Sequence, residues 1–396
     1  MAANPYFAPD YDISINGAPL SGSLRSSVSR VALDDGIGVA DRLEVDFVNP
    51  DARLLQDHIR GLGFRPFPTG IKLGPLRADA TASGKFDLDN KVEVSMGYEP
   101  GPSVKLFHGE ITGIDAEFPS TGMPILRLVA HDYLHRLAEG KYARGFGPIP
   151  DFLIASILSV ENLLIPLIDP AVAGASTAIA VVNYIFSGTG RKQKGQSDLD
   201  LLKEIADTYD AEFWAEGDFL YLSRFFKEYE PRLTLTWGQS LMSFTPRVTK
   251  IGQVAGVAAK FTLREIPLSF IVAISYDFDR EAIQVVVVPG EAGSLLISMK
   301  TLTGPLLTLI RHPIGSPADI VNSALVVAHK LRTTINNRLT GTASAVGDPR
   351  IKAGAVVRIE GVGVDFSGDY RVVSARHVID ASGYRTDFKV RKEIIP

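Results

Sequence analysis

Residues 347–388 read GDPRIKAGAVVRIEGVGVDFSGDYRVVSARHVIDASGYRTDF. The EGVGVDFSG within them invites reading as a glycine-rich cofactor loop, with His377 close by. A dinucleotide loop must lie between a buried strand and a helix, inside a βαβ unit. Here apolar and polar residues alternate on both sides, in AVVRIEG before the loop and DYRVVSARHV after it. Two strands joined by a turn leave no phosphate-binding helix. Gly361, Gly363 and Gly368 are therefore predicted to occupy turn positions that need unusual backbone angles. A period of two puts Val373, Ala375 and His377 on one face of the second strand, with Val372, Ser374, Arg376 and Val378 on the other. His377 has no HExxH partner or second close ligand, so a structural hydrogen bond is its expected role.

The same short alternating segments, ended by glycine or proline, recur along the chain. YDISINGAPL (11–20) is a strand followed by an Asn16-Gly17 hairpin signal. DRLEVDFVNP, NKVEVSMGYEP, SVKLFHGEITGIDAEFP and MPILRLVAHDYLHRL continue the pattern to residue 137. Such spacing favours a barrel or sandwich. A short helix is expected over 50–60, where Leu54, Leu55 and Ile59 share a face. The pattern then changes. Helices are expected over 150–164 and 175–186, and the basic run Arg191, Lys192, Lys194 is expected in a solvated loop or protein contact. SDLDLLKEIAD from Ser197 is the clearest helix start. Ser197 can cap it, Asp200 partly imitates a capping box, and Leu199, Leu202, Ile205, Ala206 and Tyr209 form the buried stripe. A hairpin turning at Gly217-Asp218 follows. Beyond RLTLTW the chain is strand-rich again, apart from a helix expected over 318–339 with Gly341 as its stop.

Composition bounds the function classes. A chain of 396 residues implies two or three domains, and a hydrophobic share of 45% allows a large core. The formal charge of -4 offers no polycationic footprint for nucleic acid, and the absence of cysteine removes disulfides, thiolate nucleophiles and cysteine metal sites. The acidic N-terminus has no apolar run typical of a secretory signal. The most apolar stretch, residues 149–186, is interrupted by Glu161, Asp169, Pro166 and Pro170, unlike a spanning helix of about 20 apolar residues. His131 and His135 stand at helical spacing but lack an obvious third metal ligand. No GxSxG elbow is present. A pair of carboxylates assembled from distant residues for glycoside cleavage stays open.

Three segments carry a family resemblance. KVEVSMGYEPGPSVKLFHGEITGIDAEFPSTGMPILRLVAHDYLHRL resembles the first barrel of the phage late control D family of tail hub proteins, with the strand Lys105–Gly109 and the ending Ala130-His131-Asp132. SDLDLLKEIADTYDAEFWAEGDFLYL is similar to that family's helix-hairpin insert. The closing stretch from residue 347, including His377, resembles its final strands. The resemblance implies a mainly β chain with α+β insertions, in which two related gp27-like barrel domains form a pseudo-sixfold ring within a homotrimer. It divides the chain into a first barrel domain over 1–137, a helix-rich and helix-hairpin insert over 138–232, and a second barrel domain over 233–396.

The implied function is a structural baseplate hub of a contractile phage tail or injection system, adapting a sixfold inner tube to a threefold spike. The family extends to the amino-terminal part of type VI secretion spike proteins. Implied partners are two further copies, an inner tube or tube-initiator protein, a trimeric spike, and baseplate wedge or sheath-associated proteins. Fused spikes continue into further domains, whereas this sequence stops at Pro396, so a separate spike protein is expected. Synthesis in the cytoplasm and incorporation into the particle follow. Neither an enzymatic activity nor a catalytic residue, cofactor or metal is implied, and no sequence-specific nucleic-acid binding. Two other classes remain at this stage: a baseplate-associated cell-wall hydrolase and a carbohydrate-binding module.

Overall fold

A computed structural model describes residues 8–48, 85–186, 190–224, 230–248, 336 and 338–393, and the backbone of four strands between 256 and 311. The expected helix over 50–60 lies outside the described residues. So does the helix over 318–339, except near its end, where Leu339 opens a strand and Gly341 continues it rather than stopping a helix.

The first segment holds β1 (Ala8–Ile15), β2 (Ala18–Pro19), α1 (Gly22–Ser27), β3 (Val28–Gly36), β4 (Arg42–Val48), β5 (Lys91–Glu99), β6 (Val104–Glu117) and β7 (Ile125–Asp132). β1 turns into β2 at Asn16 and Gly17, both at positive φ. The middle segment holds α2 (His135–Ala138), β8 (Tyr142–Gly145), α3 (Asp151–Glu161), β9 (Ile165–Ile168), α4 (Pro170–Phe186), β10 (Lys192–Gln196), α5 (Asp198–Tyr209), β11 (Glu212–Glu216) and β12 (Phe219–Ser223). The last holds β13 (Leu233–Thr236), β14 (Leu241–Val248), β15 (Gly256–Thr262), β16 (Ser269–Asp277), β17 (Ala282–Pro289), β18 (Leu307–Arg311), β19 (Leu339–Val346), β20 (Val356–Glu360), β21 (Gly368–Asp380) and β22 (Gly383–Arg391). Among the described residues strands dominate, with helices mostly in the middle segment. None of the described helices is long and apolar enough to cross a membrane.

One continuous sheet joins the two ends of the chain, with the order β14-β19-β22-β21-β3-β4-β7-β6-β5-β1-β2; β20 lies beside β21 and carries β13. Within it the path β3-β4-β7-β6-β5-β1 is repeated, in the same chain order, by β14-β19-β22-β21-β20-β13. The repeat holds to the residue. Arg42 faces His131 and Val48 faces Ile125, as Thr340 faces Arg391 and Val346 faces Arg385. Lys91 faces Glu110 and Val94 faces Phe107, as Val356 faces Arg371 and Ile359 faces Gly368. Two of the irregularities recur, whereas one between Val94 and Ser95 has no counterpart between β20 and β21. One between Ile111 and Gly113 answers one between Val372 and Ser374. Another between Val28 and Arg30 answers one between Leu241 and Ser243. β-bulges are specific backbone features, so two in matching places tie the units closely. The units differ at their first strands, since β1 runs antiparallel to β5 and β13 parallel to β20.

Among the described residues, three hydrophobic cores follow the chain. The first gathers Ile13, Leu33, Val45, Val94, Phe107 and Leu128 with others, one from each strand β1 and β3–β7. The second lies in the middle segment, where Leu158, Leu202, Ile205, Tyr209, Phe213 and Leu220 meet. The third includes Leu241, Ala343, Ile359, Tyr370, Val372 and Phe388. Ile379 and Tyr384, from the last segment, belong to the first core and cross the boundary between units.

The middle segment is locally well specified. Ser197 caps α5 through the Asp200 amide at 3.1 Å, and the Asp200 carboxylate accepts from the Ser197 amide at 3.3 Å, a complete capping box. The buried stripe is Leu201, Leu202, Ile205, Ala206 and Tyr209; Leu199 is only half-buried. RKQKGQ is not a solvated loop. Its residues 192–196 form β10, paired with β8.

Candidate assembly interface

The glycine-rich loop joins two antiparallel strands, β20 and β21, so no helix follows it. Gly361, Gly363 and Gly368 have φ of 81°, 88° and 137°, a region that favours glycine. The loop is pinned by Ser367 N–H donating to Gly363 (2.9 Å) and by the Tyr370 hydroxyl donating to Phe366 O (2.7 Å).

His377 is fully buried. Its Nε2 donates to the Ile351 carbonyl at 2.9 Å, which leaves Nδ1 to accept from the Tyr384 hydroxyl at 2.9 Å, with the Thr386 hydroxyl 3.1 Å away. Burial pushes its pKa down to about 4, so the ring is neutral. The expected facing of this strand needs a correction. The bulge at Val373 breaks the alternation, so Val372 joins the core with Ala375 and His377 while Val373 turns partly outward. His131 and His377 stand on non-equivalent strands, since β7 answers β22 and β6 answers β21: aligned on the repeat, His377 corresponds to Ala116 and His131 to Arg391.

His131 and His135 have their rings 6.0 Å apart, but each is engaged otherwise. The Thr112 hydroxyl lies 2.6 Å from His131 Nδ1. Burial, the nearby His135 and Arg42 all lower the His131 pKa. His135 donates from Nδ1 to the Asp132 carbonyl at 2.5 Å, and its Nε2 lies 3.2 Å from Glu110. Burial opposes its cation, yet the bonds to Glu110 and Asp132 prevail and raise its pKa. Arg136 grips Glu110 bidentately at 2.8 and 2.6 Å. Despite the opposing effect of burial, Arg136 and His135 bring Glu110 down to about 2. Among the described residues no group of three potential ligands is placed to share a metal ion.

Other polar groups clamp segments together. Arg191 binds Asp151 at 2.8 and 2.6 Å, and the Tyr209 hydroxyl donates to the same carboxylate at 2.7 Å. A sequence reading cannot find this pair, because its members are 40 residues apart. Asp35 accepts from the Ala353 amide at 2.7 Å and Asp41 from Gly36 at 3.2 Å, while Asp132 accepts from Leu134 at 3.1 Å. Burial raises the pKa of all three, Asp132 to about 7. The Asp35 bond fixes β3 against the segment before β20, whereas those of Asp41 and Asp132 close local turns.

What the fold leaves accessible is strand edge and apolar surface. The two units meet where β3 pairs with the second half of β21, from Val31 opposite Ile379 to Gly36 opposite Ser374. Arg376 and Asp34 face each other there with an ion pair at 3.1 Å. Among the described residues, β14 ends the large sheet and the second half of β6 is paired with β7 alone. Phe118 is 61% exposed and Val248 54% exposed beside these edges. On the middle segment, Leu153, Ile157 and Val160 expose one face of α3, and Ile165, Leu167 and Phe219 one face of the β11-β12-β9 sheet.

No family model matches the chain, and no curated protein matches it in sequence. Solved structures do. The 43 kDa tail protein of prophage MuSo2 from Shewanella oneidensis aligns with a TM-score of 0.60 at 10% identity, covering 97% of this chain and 98% of that one. A tail protein from Neisseria meningitidis MC58 aligns with a TM-score of 0.58 at 11% identity, covering 98% and 97%. An E. coli type VI secretion component, described as structurally similar to the phage T4 tail proteins gp27 and gp5, gives a TM-score of 0.50 at 10% identity over 97% of this chain and 80% of that one. From end to end, this chain has the fold of these phage-type tail proteins.

Proposed function

We propose that the chain is a structural hub in the baseplate of a contractile tail or injection particle. In this reading each copy contributes two barrel domains, 1–137 and 233–396, separated by the insert 138–232. Three copies place six similar units around an axis and leave an open passage. One face of that ring receives a sixfold tube and the other a threefold spike, with wedge or sheath-associated proteins around it.

The observation that carries the reading is the in-register repeat, two bulges included, inside one continuous sheet. A chain that presents the same unit twice can meet sixfold and threefold neighbours with one set of surfaces, because closed rings repeat one interface. The end-to-end likeness to tail proteins supports the same role. Chemistry-bearing side chains such as His377, Glu110 and Arg191 are spent on holding segments together.

Removing the gene from a producing strain tests the role directly. The expected outcome is loss of assembled tails with tube and spike proteins still made, restored by the gene in trans. Complete tails assembled without this protein would overturn the proposal.

A further inference from the structure

We propose that β14 of one subunit adds antiparallel to the open second half of β6 in the next subunit, with Arg247 opposite Asp115, closing the ring. The inference deepens the ring reading above and rests on it. Its template lies inside the chain. By the repeat, β3 corresponds to β14 and β21 to β6. The junction of β3 with β21 therefore has a counterpart whose two strands, β14 and β6, have no such partner within the chain among the described residues. Carrying the internal register across the repeat places Val248 against Ile114, Arg247 against Asp115, Thr245 against Glu117 and Phe244 against Phe118.

The side chains fit that register. Within the chain, Asp34 on β3 faces Arg376 on β21. At the counterpart the charges are exchanged, Arg247 standing for Asp34 and Asp115 for Arg376, so attraction is preserved although neither residue is. Asp115 also ends a row of facing residues with alternating charge, Arg30, Asp46, Arg127, Asp115, which Arg247 would extend. On the other face, Phe118 corresponds to Ile379, which is buried in the first core. Phe118 would then cover the third core of the neighbouring subunit beside Phe244, which packs partly buried against it. Pro246 would face Ala116 and lacks one amide donor. This is a hydrogen-bonded pair of the proposed ladder, which keeps the bond from the Ala116 amide to the Pro246 carbonyl and forgoes the reciprocal one.

The test uses the whole chain, which contains no cysteine. Ile37 N–H bonds to Val373 O across the internal junction, at 3.2 Å. Counting from it by alternation makes Asp34 and Arg376 a non-hydrogen-bonded pair, and hence also Arg247 and Asp115. Such pairs have Cα atoms about 4.5 Å apart, within the disulfide range of roughly 4.4–6.8 Å. The variant carrying Asp115→Cys and Arg247→Cys is oxidised in the assembled state and run on a denaturing gel, with native mass spectrometry beside it. A reducible covalent trimer is expected, and none from Asp115→Cys with Val248→Cys, whose side chains leave opposite faces. Asp115→Arg should lower the trimer fraction at least about tenfold, and adding Arg247→Asp should restore it, given the cost of facing like charges. A native trimer without the cross-link would overturn this pairing and leave the ring standing. Six copies, or a monomer within the particle, would overturn both. Folded single variants whose double charge exchange fails to restore the trimer would also overturn the pairing.

Discussion

His377 shows how burial turns a reactive side chain into a structural one. Its pKa of about 4, against 6.5 when unfolded, means that between those values the unfolded chain binds a proton that the folded chain does not. Stability therefore rises with pH through that window, and going from pH 7 to pH 5 should cost about 2 kcal/mol from this group. Denaturant unfolding at both pH values, compared with His377→Gln, checks it: the variant should lose that part of the pH dependence. Asp132 acts with the opposite sign. Its folded pKa of about 7 exceeds the ordinary 3.8, so stability falls as pH rises between them. Asp132→Asn should flatten that fall in the same measurement. Gly109 is held by space rather than by angle, since a Cβ there would lie 2.0 Å from the backbone oxygen of His131. Gly109→Ala is accordingly expected to destabilise the first unit strongly. The turn glycines were legible in the alternation on both sides of the loop, and the structural role of His377 in the lack of any second ligand nearby. The outward Val373 was not, because a bulge is a feature of hydrogen bonding between strands and leaves no compositional mark.

At the scale of elements, the middle segment is where local sequence and structure agree best. Leu202 is fully buried in the second core, so Leu202→Ala should cost roughly 2–5 kcal/mol. Ser197→Ala removes one side of the capping box and should cost about 0.5–2 kcal/mol. Thermal or chemical unfolding of the full chain ranks the two; a neutral Leu202→Ala beside a severe Ser197→Ala would reverse the assignment. Asp151→Ala removes the carboxylate that Arg191 and Tyr209 share, leaving Arg191 only Thr208 and the more distant Glu204, and a broken buried pair typically costs up to about 3–5 kcal/mol. The cap was readable because its residues are three apart, with the hydroxyl and carboxylate at the required offsets. The Arg191 clamp was not, since only tertiary structure brings Arg191, just before β10, to Asp151 at the start of α3. Leu201 enters the stripe because Leu201, Leu202, Ile205 and Tyr209 lie three or four residues apart on one face, with Leu199 at its margin and only partly buried.

For the whole molecule, the decisive feature is the duplication of a strand unit within one sheet. Its existence was suggested by strand-rich segments flanking a mixed insert and by the resemblance to tail hubs. Its register was not visible, because equivalent positions have exchanged character: Asp34 answers Arg247, Ala116 answers His377, His131 answers Arg391. What the repeat retains is backbone geometry: pairing order, facing residues and the sites of two bulges. Such a chain is suited to build a ring of six like units from three copies, with identical contacts between copies. Electron microscopy of the intact particle, at a resolution that separates subunits in the layer between tube and spike, tests this most directly. Three copies of this chain should surround one axis, presenting six similar β units about an open passage; six separate copies in that layer, or a single copy off the axis, would contradict it.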